Sequence, residues 1–165
     1  MDFEKLTTKS KELFQDVVNL AAKEHHQYIT PEHLLLEMLK QKDSPVKSLL
    51  EKSGIADITS LQQQAEEAVK KLPSVSGEGV QSVMNQDFTR VMMEAEKLAT
   101  QSGDSYVTLE RILQALAQSA GNKAYDLLKA NGLNPVALNQ AINDMRGGRV
   151  ADSENAEDNF EALKK

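Results

Sequence analysis

The sequence predicts an all-α domain: two four-helix repeats closed into one pseudo-twofold bundle. Three observations predict it. Shifted by 78 positions, the two halves align without a gap, so that Leu20-Ala21 falls on Leu98-Ala99, and Tyr28, Thr30, Glu32 and Leu35 fall on Tyr106, Thr108, Glu110 and Leu113. Leu49, Leu50 and Gly54 fall on Leu127, Leu128 and Gly132, with Ile29/Val107 and Leu34/Ile112 as conservative pairs. Apolar residues recur at helical spacing through both copies. Composition agrees, because with three Tyr, four Phe and no Trp among 165 residues the core must be drawn from Leu, Ile, Val, Ala and Met. The good helix formers Ala, Leu and Met are in that set, and Glu, Lys and Gln are abundant beside them.

In the first copy, a helix from about Thr8 to Glu24 carries Leu13, Phe14, Val17, Leu20 and Ala21 on one face. The second helix starts at Thr30, with the cap in Thr30, Pro31 at the first helical position and Glu32 at the positive end of the dipole. Its run Leu34-Leu35-Leu36 with Met38-Leu39 is apolar on several sides, as a central buried helix requires. The third opens at Ser44-Pro45 and closes at Gly54, a left-handed C-terminal position. The fourth presents Ile58, Leu61, Ala65, Ala68, Val69 and Leu72 and stops before Pro73. The second copy follows the same plan. Phe88, Val91, Met92, Ala95, Leu98 and Ala99 face the core from the fifth helix. Thr108 caps the sixth, with Ile112, Leu113 and Leu116 inside. Ala124, Leu127 and Leu128 belong to the seventh, ending at Gly132. Asn134-Pro135 opens the eighth, which buries Leu138, Ala141, Ile142 and Met145.

These elements set the boundaries. Residues 1–148 form the domain, with repeat 1 at about 6–73, a Ser- and Gly-rich linker at 74–86 and repeat 2 at about 87–148. Residues 149–165 read as a flexible, acidic exit that begins another helix, in which Phe160 and Leu163 have nothing nearby to pack on. That ending suggests a chain that continues into further domains. One repeat of about 65 residues buries too little surface to be comfortably stable, so the two are expected to share a core.

Several function classes are disfavoured. A net charge of −6 with no basic stripe argues against nucleic acid as a partner. The charged N-terminus is not a signal peptide, no apolar run approaches membrane-spanning length, and Cys is absent; together these point to the cytoplasm and away from a membrane. No GxxxxGK[ST] occurs: Gly77-Glu78-Gly79 lacks the spacing, and Gly147-Gly148 follows a helix. His25, His26 and His33 lie close in sequence, but the first two diverge and no Cys completes a zinc set, so surface or capping roles are expected and no metal. Glu66-Glu67 reads as a solvated helix face, and no catalytic constellation emerges.

The pattern LTTKSKELFQDVVNLAAKEHHQYITPEHLLLEML and its second copy resemble the Clp N-terminal repeat domain, from about Asp2 to Gly148. The ending INDMRGG, followed by AEDNFEALKK, is similar to ClpB-type disaggregases within that family. The resemblance implies a non-catalytic appendage of a homohexameric ring. Such an appendage binds unfolded or aggregated protein and passes it to the pore. It further implies cooperation with a DnaK-type chaperone system and ATP with Mg in ATPase modules, with no cofactor in this chain. The isolated domain is expected to be a monomer. The alternative within the family is docking of folded adaptor proteins, as in protease-associated Clp ATPases.

The resemblance also implies three polar substrate-binding positions: Thr7, Asp104 and Glu110. Each has a structural alternative. Thr7 could be an N-cap, and Glu110 could favour the helix dipole as its mate Glu32 would. Asp104 aligns with His26, so the fold does not demand a carboxylate there. Substituting the three is expected to weaken capture without unfolding the domain. Receptors for unfolded chains also need exposed apolar surface, for which flexible Met is suited. Met93 and Val18 stand just off their helices' core faces, as substrate contacts or as packing for the seam between repeats.

Overall fold

A computed structural model of the chain describes residues 2–77 and 81–162. The first copy contains α1 (Thr8–Lys23), β1 (Tyr28–Ile29), α2 (Pro31–Lys40), α3 (Val46–Lys52) and α4 (Ile58–Lys70). The second contains β2 (Val83–Met84), α5 (Gln86–Gln101), α6 (Leu109–Gln118), α7 (Lys123–Ala130) and α8 (Pro135–Arg146), followed by α9 (Ala156–Ala162). A 3-10 turn at Phe3–Lys5 precedes α1. Local chemistry sets most starts: the side chains of Thr7, Asp57, Asn85, Asn122 and Asn134 each accept a backbone N–H three residues on. At α2, Thr30 and His33 form a reciprocal capping box with Pro31 in the first turn.

The repeats share one interior. A single apolar cluster joins Leu13, Leu35 and Leu39 of the first copy to Phe88, Leu113 and Leu116 of the second. Contacts across the seam come in mated pairs: α3 packs on α8 as α7 packs on α4, and α2 packs on α7 as α6 packs on α3. Two mated glycines meet between the copies. A Cβ on Gly54 would come within 2.8 Å of the Gly132 carbonyl oxygen, and one on Gly132 within 3.0 Å of that of Gly54. Both have positive φ, +111° and +102°, so glycine answers the turn and the close approach at once.

Two short parallel pairings were not expected from the sequence. Tyr28 lies opposite Val83 and Ile29 opposite Met84, while Leu6 bridges Val107. Met84 is the repeat mate of Leu6, and Ile29 of Val107. Each copy's entry segment therefore pairs with the other copy, which ties the halves together through backbone bonds as well as side chains.

Through Ala162 the exit segment packs on the domain, which corrects the reading of this stretch as a flexible exit and of Phe160 as unpacked. Ala151, Ala156 and Phe160 form a second apolar cluster against Tyr106. The Phe160 ring lies under two guanidinium groups, with Arg146 at 4.6 Å and Arg149 at 5.2 Å from its centroid. The Thr8 N–H bonds the Glu154 carbonyl at 2.8 Å, and the Ser105 N–H bonds that of Ala151 at 2.8 Å. An acidic, polar composition suggested solvation, but Glu157 is buried and finds buried donors. Leu163 lies outside the described residues, as do Glu78 and Gly79 of the glycine pair considered above.

Candidate functional site

Thr7, Asp104 and Glu110 come together, although more than ninety residues separate the first from the others. Thr7 is buried at the N-terminus of α1, where its hydroxyl accepts the Ser10 N–H at 3.2 Å. The same hydroxyl donates to Glu157 Oε2 at 2.8 Å. Glu157 Oε2 also accepts the Leu109 N–H at 3.1 Å, so one carboxyl serves the first turns of both α1 and α6. This corrects the expectation that Thr108 caps the sixth helix. Its side chain makes no capping bond and instead accepts from Arg146 Nη2 at 3.1 Å.

Asp104 and Glu110 are held by Arg146, the last residue of α8. Arg146 Nη1 and Nη2 reach the two Asp104 oxygens at 3.0 and 2.8 Å, and Nε reaches Glu110 Oε1 at 2.6 Å. Arg111 Nε adds a bond to Asp104 Oδ2 at 3.1 Å, and the Ala151 N–H one to Oδ1 at 2.9 Å. Burial alone would raise the Asp104 carboxyl, but the Arg146, Ala151 and Arg111 donors outweigh it and hold the group below its ordinary range. Burial likewise disfavours the Arg146 cation, and Asp104 and Glu110 more than reverse that. Both carboxylate side chains are fully buried. Removing either carboxylate would leave Arg146 short of a buried partner, so such variants are expected to lose stability alongside any loss of capture.

Two cations, Arg146 and Arg111, balance Asp104 and Glu110, and among the described residues none pairs with Glu157. Burial, reinforced by Glu110, pushes the Glu157 carboxyl up to about 7, against the hydrogen bonds from Thr7 and Leu109. Among the described residues, Glu110 Oε2 and Glu157 Oε1 have no hydrogen-bond partner. Both residues line a cleft of about 250 Å³ with Lys9, Asp43, Met145 and Phe160.

The mated region of repeat 1 solves the same packing problem with neutral groups. His26 and His33 occupy the positions of Asp104 and Arg111, and their rings meet Nδ1 to Nε2 at 2.8 Å. Ala68 stands where Arg146 does. His26 and His33 are thus buried and not on the surface, whereas His25 is exposed and His33 caps α2, both as expected. Left-handed backbone at His25, φ +57°, separates its side chain from that of His26. Among the described residues no group of three or more potential ligands could hold a metal. Burial, then the neighbouring His26, lowers the His33 pKa from 6.5 to about 4. The folded value lies below the unfolded one. The contribution of neutral His33 is therefore fully present above pH 6.5 and is lost as pH falls toward 4, a change of up to about 3 kcal/mol. Urea unfolding of the wild type and a His33→Gln variant across this range is expected to show a shallower loss in the variant, which keeps a capping side chain without the titration.

A second cleft, of about 410 Å³, lies beside Tyr28 and is lined by Glu32, Leu72, Pro73, Asp87 and Asn122. It is the repeat mate of the first: Glu32 corresponds to Glu110, Asp87 to Lys9 and Asn122 to Ser44, each a residue of the other cleft. Burial raises the Glu32 carboxyl. Tyr28, Val83 and Met84 are exposed next to one another on the β1–β2 pair, an apolar surface that the sequence reading missed. The signal available for it was the apolar pair Val83-Met84 inside a polar linker. Met93 is 57% exposed on α5, whereas Val18 is half-buried against the core. Neither lines the cleft beside Glu110 or belongs to the apolar cluster of Ala151, Ala156 and Phe160 next to it.

Comparison with known proteins agrees with this architecture. Residues 5–131 match the profile of the Clp repeat (R) N-terminal domain. The chain is 40% identical over its full length to "Chaperone protein ClpB" of Brucella suis biovar 1, of which it spans 19%. The solved N-terminal domain of Hsp104 from Candida albicans superposes with a TM-score of 0.81 at 20% identity, covering 93% of this chain and 99% of that one. A ClpV N-domain solved in complex with a VipB peptide superposes with a TM-score of 0.67 at 18% identity, covering 88% and 89%. No described helix is long and apolar enough to cross a membrane. The duplicated four-helix plan, the crossed entry strands and the profile match lead to one assignment: this chain belongs to the Clp repeat N-terminal domain family, a non-catalytic domain.

Proposed function

We propose that this domain captures unfolded or aggregated polypeptide for an ATP-dependent disaggregase and hands it to the pore of a homohexameric ring. ATP and Mg belong to ATPase modules, a DnaK-type system cooperates, and the setting is the cytoplasm. The observation that carries the proposal is the exposed apolar surface of Tyr28, Val83 and Met84 beside a cleft with polar walls, on a domain related to chaperones. Non-native chains expose the apolar side chains such a surface can cover. Met93 on α5 and Val18 on α1 are further apolar contacts in this reading, and Thr7, Asp104 and Glu110 are polar anchors at a separate place on the domain. A second reading is docking of a specific partner such as an adaptor; the ClpV N-domain solved with a VipB peptide supports recognition of a defined segment by this fold.

The test is fluorescence anisotropy with a labelled, permanently unfolded protein. Tyr28→Ser and Met93→Ser are each expected to weaken capture about tenfold, the loss of roughly 1.4 kcal/mol of apolar contact. Because both side chains are exposed, stability should move by less than about 0.5 kcal/mol. Unchanged capture by both variants would remove the apolar surface from the account. Recovery of one stoichiometric folded partner, with no affinity for unfolded chains, would favour the adaptor reading.

A further inference from the structure

We propose that Ala151–Phe160 is a strap that occupies the Thr7–Asp104–Glu110 site in cis, and that it shows what the site accepts from outside: a short helical segment with a carboxylate one turn before an aromatic ring. The inference rests on the reading of this site as a place where client chains bind, and it adds both a ligand class and a means of regulation.

The geometry has the character of ligand binding. Glu157 delivers one carboxyl oxygen to the Thr7 hydroxyl and the Leu109 N–H, two donors at the starts of α1 and α6. Three residues on, Phe160 lies over the Arg146 guanidinium, which itself grips Asp104 and Glu110. The Ala151 N–H fills the last position on Asp104 Oδ1. One ten-residue stretch thus contacts Thr7 and Asp104 directly and Glu110 through Arg146.

The strap is built to leave. Its apolar cluster of Ala151, Ala156 and Phe160 is separate from the main core, so removing it opens no hole there. Its carboxyl sits beside Glu110 with one oxygen of each unpartnered, which makes closure less favourable than a fully satisfied contact. The mated cleft beside Glu32 and Tyr28 has the corresponding walls, and the repeat mate of Phe160 there is Ser82, which offers no ring and bonds the His26 carbonyl instead. A client that reaches the strapped site must displace the strap, so the site's apparent affinity depends on the fraction of molecules in which the strap is open. A pull on the chain after α8 would raise that fraction.

The absence of cysteine allows a reversible lock. Thr8 and Glu154 are both exposed and joined by a backbone hydrogen bond, so Thr8→Cys with Glu154→Cys places two thiols across the strap's edge. Oxidation is expected to lower affinity for an unfolded protein at least fivefold relative to the same molecule after reduction. Equal affinity in the two states would overturn the strap. A second measurement does not depend on client capture. A synthetic peptide ADSENAEDNFEA is expected to bind a Glu157→Ala/Phe160→Ala chain at least tenfold more tightly than the wild type, whose site is filled. A peptide with both residues changed to Ala should not bind. Equal binding of the two peptides would refute the ligand class. If the peptide binds as expected while neither form of the locked chain captures unfolded protein, the strap stands and the client-binding reading fails.

Discussion

Replacing Arg146 with Met is expected to destabilise the domain by about 3–5 kcal/mol, the cost of leaving buried charges without their partner. Met keeps the aliphatic reach but removes the bonds to Asp104, Glu110 and Thr108 in one change. Arg111 still holds one Asp104 oxygen, whereas Glu110 is left with no cation. Urea unfolding followed by circular dichroism should show a lower midpoint with an unchanged slope. The charge argument adds a condition. Introducing Glu110→Gln on top of Arg146→Met should recover part of the loss, because a neutral amide is far less costly to bury unpaired than a carboxylate. No recovery in the double variant would mean that Arg146 acts through packing. Repeat 1 shows that the bundle itself does not need the network, since Ala68 and the His26–His33 pair stand in its place.

Phe88→Ala is expected to cost about 3–5 kcal/mol, the range for deleting a buried phenyl ring from a close-packed core. Phe88 starts α5 in the second copy and is fully buried. Its ring packs against Phe14 of α1 in the first copy, 6.1 Å between centroids, and Phe14 packs in turn on Phe3 at 4.6 Å. The loss should therefore appear in both halves at once. Native-state hydrogen exchange is expected to show amides of α2 and α6 losing protection by the same amount. Loss confined to the second copy would mean that the repeats are energetically independent.

The helices were legible because their signals are local. Heptad-scale apolar spacing, Thr, Asn or Pro at the starts and Gly54 and Gly132 at the stops lie within a few residues of what they determine. The duplication supplied the architecture, since mated apolar faces such as those of Leu35 and Leu113 need each other for burial. The strands escaped because two residues are too few to show alternation. Thr7, Asp104 and Glu110 came from the resemblance, but Arg146 and Glu157, which join them, escaped: Thr7 and Glu157 are 150 residues apart, and no periodicity connects them. One clue was available and unused. Where His26 becomes Asp104 between copies, His33 becomes Arg111, and the paired change marks two side chains in contact. Phe160 looked stranded because its partner is a guanidinium group, which apolar patterning does not reveal.

Backbone NMR of the labelled domain, titrated with one protein in its unfolded and then its native form, bears most directly on the claim that this domain recognises non-native chains. The account predicts shifts at Tyr28, Val83, Met84 and Met93 with the unfolded form, accompanied by changes at Thr7 and Glu157 as the strap gives way, and none with the native form. Equal shifts with both forms, or shifts that avoid the β1–β2 surface, would contradict it.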